Sequence, residues 1–498
     1  MGLGFGHRRC TIDARLSHLA ELKGLIRRIL APHAWAAATV AAVVLSSALA
    51  AQQPAATLDE GAIRAAVERA LAVTPSRYRA LGSPQQAGVR VLGVDVETTS
   101  PTSARITVDV SQRALTYDPR GDVEGVLDHL IASTAGLTGT VRDVEYRFLV
   151  DGLPLESFVP RLAEPPRSRA RQLGAAGRVV ISAGHGWYRD DTTGEWRLQR
   201  DYYWGIVEDF INYDMTRYLE TELRTAGLDV RPARHPDPAA GAGLSGRPRW
   251  EESAKYHIRE LGAPASIWDY GVDDYAKDIN SRPFYANWVD SAVIVSIHNN
   301  GGGGSGTETW YDATNGHEAE SRRLAEIVNR RIVAALRAGY DSNWPDRGLR
   351  TCNGCKGETR LAGRPAILVE AAFMDTKSPD NDALHSERFK QIVAQGIREG
   401  LQEWGLRPPP AVEDFDTLVR GELHARAARD PRFVTVVDGT FGGDPQWDPA
   451  WEMRWMEVTF SGGRHVRLWH MTARHNRDER YIGYWDPDTS AWSGWQRL

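Results

Sequence analysis

From residue 178 onward the chain alternates between two hydrophobic patterns, and this alternation restricts its fold more than any other feature of the 498 residues. The runs Val179-Val-Ile-Ser-Ala, Val293-Ile-Val-Ser-Ile and Ala366-Ile-Leu-Val are β-branched and aliphatic nearly throughout. Strands that show one face to water alternate apolar with polar, whereas strands buried on both faces read as continuous apolar runs. Between the runs lie helical stripes. Ile211, Met215, Tyr218 and Leu219 share one face, and Phe389, Ile392, Val393, Ile397 and Leu401 share another. Strand and helix in repetition predict an α/β domain, a central and mostly parallel sheet flanked by helices.

Each of the three apolar runs leads into one polar group. His185 follows the first, between Gly184 and Gly186, which let the backbone turn sharply there. His298 follows the second and Glu370 the third, while Glu208 opens the helix after the first strand. The carboxyl ends of parallel strands are where such sheets present their chemistry. Two histidines and one glutamate suit a catalytic zinc, which keeps a fourth position for water, and a further carboxylate can take that water's proton. Taken singly these residues are bland: a histidine after a strand is more often structural, and a helix-opening glutamate is more often a dipole partner. A carboxylate beyond a buried strand is costlier to leave unused. The four become informative through their equivalent places at the ends of successive elements.

The rest of the chain reads as separate pieces. Residues 1–50 have the form of an export signal: Arg27-Arg28, an apolar stretch from Ala34, then Ala48-Leu49-Ala50 as a small-residue cleavage site. The 60 basic and 65 acidic residues of the whole chain give −5; without the six and two in residues 1–50 the balance is near −9. That excludes the basic footprint of a nucleic-acid protein, and no apolar run after the signal is long enough for a membrane span. Residues 57–160 mix helical patterns with alternating strands such as Ile106, Val108, Val110, predicting a small α+β domain with a binding or spacing role. Residues 161–177, with Pro165-Pro166, read as a linker, and 178–406 as the α/β domain, which Pro408-Pro-Pro410 closes. Residues 411–498 hold seven of the 17 tryptophans, all beyond Gln446, among short β-like runs. They predict a β-rich domain whose rings fill its core or stack on sugars. Cys352-Asn-Gly-Cys355 lacks the second pair of a zinc ribbon, so in an exported chain a local disulfide is expected.

The ordered motifs resemble a known family. Gly184-His185-Gly186, Gly205-Ile-Val-Glu208-Asp-Phe-Ile-Asn212, Arg282 with Ala286-Asn287, Val295-Ser-Ile-His298-Asn-Asn300, Gly306-Thr-Glu-Thr-Trp-Tyr311, Arg347-Gly348 and Pro365-Ala-Ile-Leu-Val-Glu370 run in sequence. Together they resemble the zinc-dependent N-acetylmuramoyl-L-alanine amidases of the amidase-3 type, cell-wall hydrolases. The resemblance implies one Zn²⁺ per catalytic domain, held by His185, Glu208 and His298, with Glu370 as the catalytic carboxylate. It implies peptidoglycan as partner and action in the periplasm or extracellular envelope. Ile106-Thr-Val-Asp-Val-Ser111 and Val144-Glu-Tyr-Arg-Phe-Leu-Val-Asp-Gly152 resemble GerM-like domains of envelope proteins. The flanking segments are thus candidates for wall or regulator contacts. Two other readings stay open: an inactive amidase-fold scaffold, and a zinc peptidase or deacetylase acting on another envelope bond.

This chain departs from the family pattern at its first motif, where Ser182-Ala-Gly-His-Gly-Trp187 puts a large ring at a usual glycine. Trp187, Tyr188, Trp196, Tyr202, Tyr203 and Trp204 suit either a wall for substrate or the packing of a loop. Residues 236–281 are a long polar insertion that would either cover the site or recognise the glycan strand, and Gly301-Gly-Gly-Gly304 reads as a mobile loop.

Overall fold

The computed structural model describes residues 58–75, 78, 81–118, 123–159 and 177–408, and beyond these the backbone of strands between 433 and 497. The expected signal, residues 161–176 of the linker and the side chains of 411–498 lie outside the described residues.

The chain order explains the architecture. Helix α1 (Glu60–Ala72) starts at Asp59, whose carboxylate accepts from the Ala62 amide at 3.1 Å, an N-cap. Strands β1 (Val91–Ser100) and β2 (Ser103–Val110), helix α2 (Glu124–Thr134) and strand β3 (Asp143–Val150) follow. Alternate residues of β2 and β3 are buried, among them Ile106, Val108, Tyr146 and Phe148, as the period-two pattern predicts. The α/β region then runs β4 (Arg178–Ala183), α3 (Glu208–Thr225), β5 (Asp229–Pro232), α4 (Ala254–Glu260), α5 (Asp274–Trp288), β6 (Val293–Asn300), β7 (Thr307–Asp312), α6 (Glu318–Gly339), β8 (Asp346–Cys352), β9 (Ala366–Phe373) and α7 (Glu387–Trp404).

These strands form one ten-stranded sheet in the order β1-β2-β3-β8-β7-β9-β6-β4-β5, with the short Leu153–Pro154 strand paired to β3. Pairings β5/β4, β4/β6, β6/β9, β7/β8, β8/β3 and β2/β3 are parallel, and β7/β9 is antiparallel, so the sheet is mostly parallel as expected. Every residue of β4 and β9 is buried. One face of the sheet packs on α3, α6 and α7 through Met215, Leu219, Val328, Ile332, Phe389 and Val393. The other packs on α4 and α5 through Ile258, Tyr285 and Ala286. Burial on both faces is why these strands carry no polar alternation.

The N-terminal segment is joined to this sheet along its edge. β3 pairs with β8 in the register Arg350↔Val144 and Cys352↔Tyr146. The buried Arg347 and Arg350 donate across the seam to the carbonyls of Ala135 (3.0 Å) and Arg142 (2.8 Å). An unpaired parallel edge would be left at β8 without it. Farther on, β10 (Phe433–Val437), β11 (Trp451–Phe460), β12 (His465–Ala473) and β13 (Arg480–Asp486), with two two-residue strands, form a separate six-stranded antiparallel sheet. That agrees with the β-rich reading of the C-terminal segment.

Candidate metal centre and active site

Three elements bring three donor atoms together. His185 lies two residues past β4, with its backbone in the left-handed region at φ 68°. Glu208 is the first residue of α3, and His298 is the sixth residue of β6. His185 Nε2, Glu208 Oε1 and His298 Nδ1 form a triangle with all three edges at 3.1 Å. Four ligands at about 2.0–2.1 Å around zinc lie about 3.3 Å from one another, so the donor set fits that ion with small adjustment. Gly184 is required here for space. A Cβ on it would stand 2.2 Å from the His298 ring.

The candidate ligands His185 and His298 are oriented by buried partners, Gln199 and Glu358, that sequence reading did not identify. His185 Nδ1 lies 2.9 Å from Gln199 Oε1, and Gln199 Nε2 donates to Asp278 at 2.8 Å. Asp209 accepts from the amides of Gly186 (2.8 Å) and Gln199 (2.9 Å), which fixes the histidine loop to α3. Burial pushes Asp209 up to about 6 in spite of those donors. His298 Nε2 lies 3.0 Å from Glu358 Oε1, while Ser296 and Arg282 bind the same carboxylate. Burial would raise Glu358, but Arg282 and His298 hold it well below the usual carboxylate range. Burial would lower His298, but the Glu358 and Glu208 carboxylates push it up to about 9, so its Nδ1 would present a lone pair only once an ion displaced that proton, with Nε2–H kept on Glu358. Glu208 Oε1 accepts from Asn212 Nδ2 and the Asn299 amide, both at 3.1 Å, and its Oε2 pairs with Arg200 Nε at 3.3 Å. Burial and the neighbouring Arg200 push His185 down to about 3, which keeps it neutral as a ligand.

Glu370 stands directly beside His298 in register, on the adjacent strand β9. Its carboxyl is buried, and Oε2 has no hydrogen-bond partner among the described residues. Burial, with the Glu208 charge, pushes it up to about 8 against the pull of His298 and Lys356. The sequence expectation put His298 and Glu370 just past their strands. Both lie within them, because β6 and β9 extend to Asn300 and Phe373.

Cys352 and Cys355 are joined by the expected disulfide. The short turn it closes delivers Lys356 and Glu358 to the site, a consequence that the cysteine spacing alone did not carry. Residues 301–304, read as a mobile loop, are tied down: Gly302 N donates to Asp375 at 2.7 Å and Gly303 N at 3.1 Å. Gly302, at φ 106°, passes so close to the N-terminal segment that a Cβ would meet the Ala132 carbonyl at 1.8 Å.

Half of the expected aromatic wall holds the insertion. Trp187 Nε1 donates to Glu251 at 3.1 Å and Arg247 lies 3.6 Å over its ring. Tyr188 packs on Tyr275 and Trp196 on Tyr256. Of the six rings only Tyr203 borders the cleft that holds the site, a cavity of about 780 Å³. A second trio, His235, His257 and Glu260, comes within ligand distance in this region. Arg249 pairs with Glu260 at 3.0 Å, and its guanidinium opposes a cation there.

Residues 179–403 match the family model described as N-acetylmuramoyl-L-alanine amidase. The uncharacterized protein YqiI of Bacillus subtilis (strain 168) is 31% identical over 135 residues, 26% of this chain and 60% of that protein. The sporulation-specific N-acetylmuramoyl-L-alanine amidase of the same organism is 30% identical over 132 residues, 26% of this chain and 48% of that protein. The chain thus spans about half to three fifths of these curated relatives. The crystal structure of an N-acetylmuramoyl-L-alanine amidase from Clostridium difficile 630 aligns over 46% of this chain and 97% of its own, at 23% identity and a TM-score of 0.29. The family match falls on the α/β segment from 179 to 403, which carries His185, Glu208 and His298.

Proposed function

We propose that the protein hydrolyses the amide between the lactyl group of N-acetylmuramic acid and L-alanine in peptidoglycan, acting in the cell envelope with residues 178–406 as its catalytic part. The observation that carries this reading is the convergence of His185 Nε2, Glu208 Oε1 and His298 Nδ1 beside the buried, unpartnered Oε2 of Glu370. One Zn²⁺ fits these donors and, when bound, supplies a Lewis acid for the carbonyl and a water with a pKa near about 7.

The chain's own groups supply the rest. Gln199 and Glu358 would hold the outward nitrogens of the two imidazoles as N–H donors, and Arg200 pairs with Oε2 of Glu208. Glu370 takes the proton of the attacking water, whose oxygen adds to the amide carbon. It then returns that proton to the alanine nitrogen as the C–N bond breaks. The four polar residues are assembled and buried together, which favours an active hydrolase over an inactive scaffold.

The test is digestion of purified sacculi by the full chain with zinc, with chelator, and with zinc restored, reading fragments by mass spectrometry. Intact stem peptides that begin at L-alanine, lost with chelator and regained with zinc, are the expected products. Cleavage within the peptide or release of acetate would replace this reading with a peptidase or deacetylase. Retention on sacculi without any release would leave a scaffold.

A further inference from the structure

The cleft that holds the metal centre has a second wall outside the α/β segment. Ala66, Arg69, Val73 and Pro75, from α1 and the residues after it, and Asp128 and His129 of α2 line the same cavity as His185, His298 and Glu370. This wall is fixed in place. β3 continues the sheet beyond β8. Glu124 accepts from the Gly357 amide at 2.8 Å, Asp128 accepts from Lys356 Nζ at 3.0 Å, and Gly302 lies against Ala132. These contacts land on the turn that carries Lys356 and Glu358, and on the loop that follows β6.

Most polar groups on this wall are spent on holding it. Asp128 is paired with Lys356, Glu124 is hydrogen-bonded to Gly357, and His129 Nε2 is bound to the Ala70 carbonyl at 3.0 Å. Arg69 is the exception: it is exposed and has no ion-pair partner among the described residues. One helical turn on, Val73 is 55% exposed, and across the cleft Tyr203 is 39% exposed. An uncompensated cation with apolar surface beside it suits a ligand that is anionic and partly apolar. A surface arginine in the last turn of a helix is ordinarily explained by the helix dipole; this one also borders a catalytic cleft.

We propose that α1 and α2 form the peptide-binding wall of the cleft, with Arg69 taking a free carboxylate of the substrate's peptide stem and Val73 covering its apolar side. This rests on the amidase reading for the identity of the substrate. The N-terminal segment, expected from sequence to have a binding or spacing role, is then part of the substrate site itself.

The experiment measures binding apart from turnover. A soluble muropeptide with free carboxylates, and the same compound with those carboxylates amidated, are titrated by calorimetry into the zinc-loaded full chain carrying Glu370→Gln. The titrations are repeated with Arg69→Glu and Arg69→Gln added. Arg69→Glu is expected to weaken the free-carboxylate ligand at least about tenfold, Arg69→Gln less, and neither to change the amidated one. Equal affinity for both ligands in all three proteins would overturn the proposal. Turnover by the chain with Glu370 intact is scored separately. Arg69-dependent binding without hydrolysis leaves the peptide wall standing and removes the hydrolase reading.

Discussion

Glu358 Oε1 stands 3.0 Å from His298 Nε2, on the side of the ring that faces away from His185 and Glu208. With an ion bound as proposed, the carboxylate would keep the proton on Nε2 and leave Nδ1 to the metal. Replacing Glu358 by Gln keeps the shape and removes the charge. Zinc affinity, measured by competition with a chelating dye, should fall by about 10–100-fold. Unchanged affinity in a folded Glu358→Gln protein would contradict the assignment.

Gly184 and His298 are in contact because glycine has no Cβ. A methyl group there would stand 2.2 Å from the imidazole, well inside any real contact distance, so the ring must move. Gly184→Ala should therefore weaken zinc binding at least about tenfold, since a displaced ligand costs more than a lost outer partner. Equal zinc stoichiometry and affinity in the variant and the parent would count against the donor triangle.

Trp187 is the departure from the family's first motif, and the structure gives it a packing role. It hydrogen-bonds Glu251 and lies under Arg247. Trp187→Gly should lower the stability of the full chain by about 1–3 kcal/mol through loss of the cation–π contact and the hydrogen bond. Zinc affinity should stay within about twofold, because the ring does not border the cleft. Loss of zinc with no change in unfolding would reverse this assignment.

His257 makes an acid-dependent contribution away from the metal centre. Burial, with repulsion from His235 and Arg249, pushes it down to about 3. The unfolded chain takes up a proton as pH falls through the ordinary histidine value near about 6.5, and the folded chain does not until about 3. Stability from this group is thus present above about 6.5 and is lost as pH falls, at about 1.4 kcal/mol per unit. Urea unfolding at pH 7 and pH 5 should show a loss that is smaller in His257→Gln by up to about 2 kcal/mol. An identical loss in both proteins would contradict the half-buried, neutral histidine.

The sheet and the four polar residues were legible because both depend on short-range pattern. Continuous apolar runs mark buried strands, and His185, His298 and Glu370 follow them directly. Glu208 was legible as the opening of an amphipathic helix. Gln199, Glu358 and Arg200 were not, because nothing periodic marks a residue whose role is a hydrogen bond to a ligand far off in sequence. The edge pairing of β3 with β8 was hidden for a related reason. Alternating strands look self-sufficient in sequence, and nothing in Val144 or Arg350 states that they are neighbours. The aromatic run around Trp196 was readable in two ways. Packing against the insertion accounts for Trp187, Tyr188 and Trp196, and only Tyr203 reaches the cleft.

The central claim is that Glu370 moves the proton for amide hydrolysis at a His-Glu-His zinc site. It is tested most directly by comparing the full chain with its Glu370→Gln variant at equal, measured zinc content. The readout is the rate at which new amino termini of L-alanine appear from purified sacculi. Loss of a general base costs about 10²–10⁴-fold, so the variant should bind one zinc and release peptide at no more than about one hundredth of the parent rate. Release at the parent rate by the zinc-loaded variant would contradict the account.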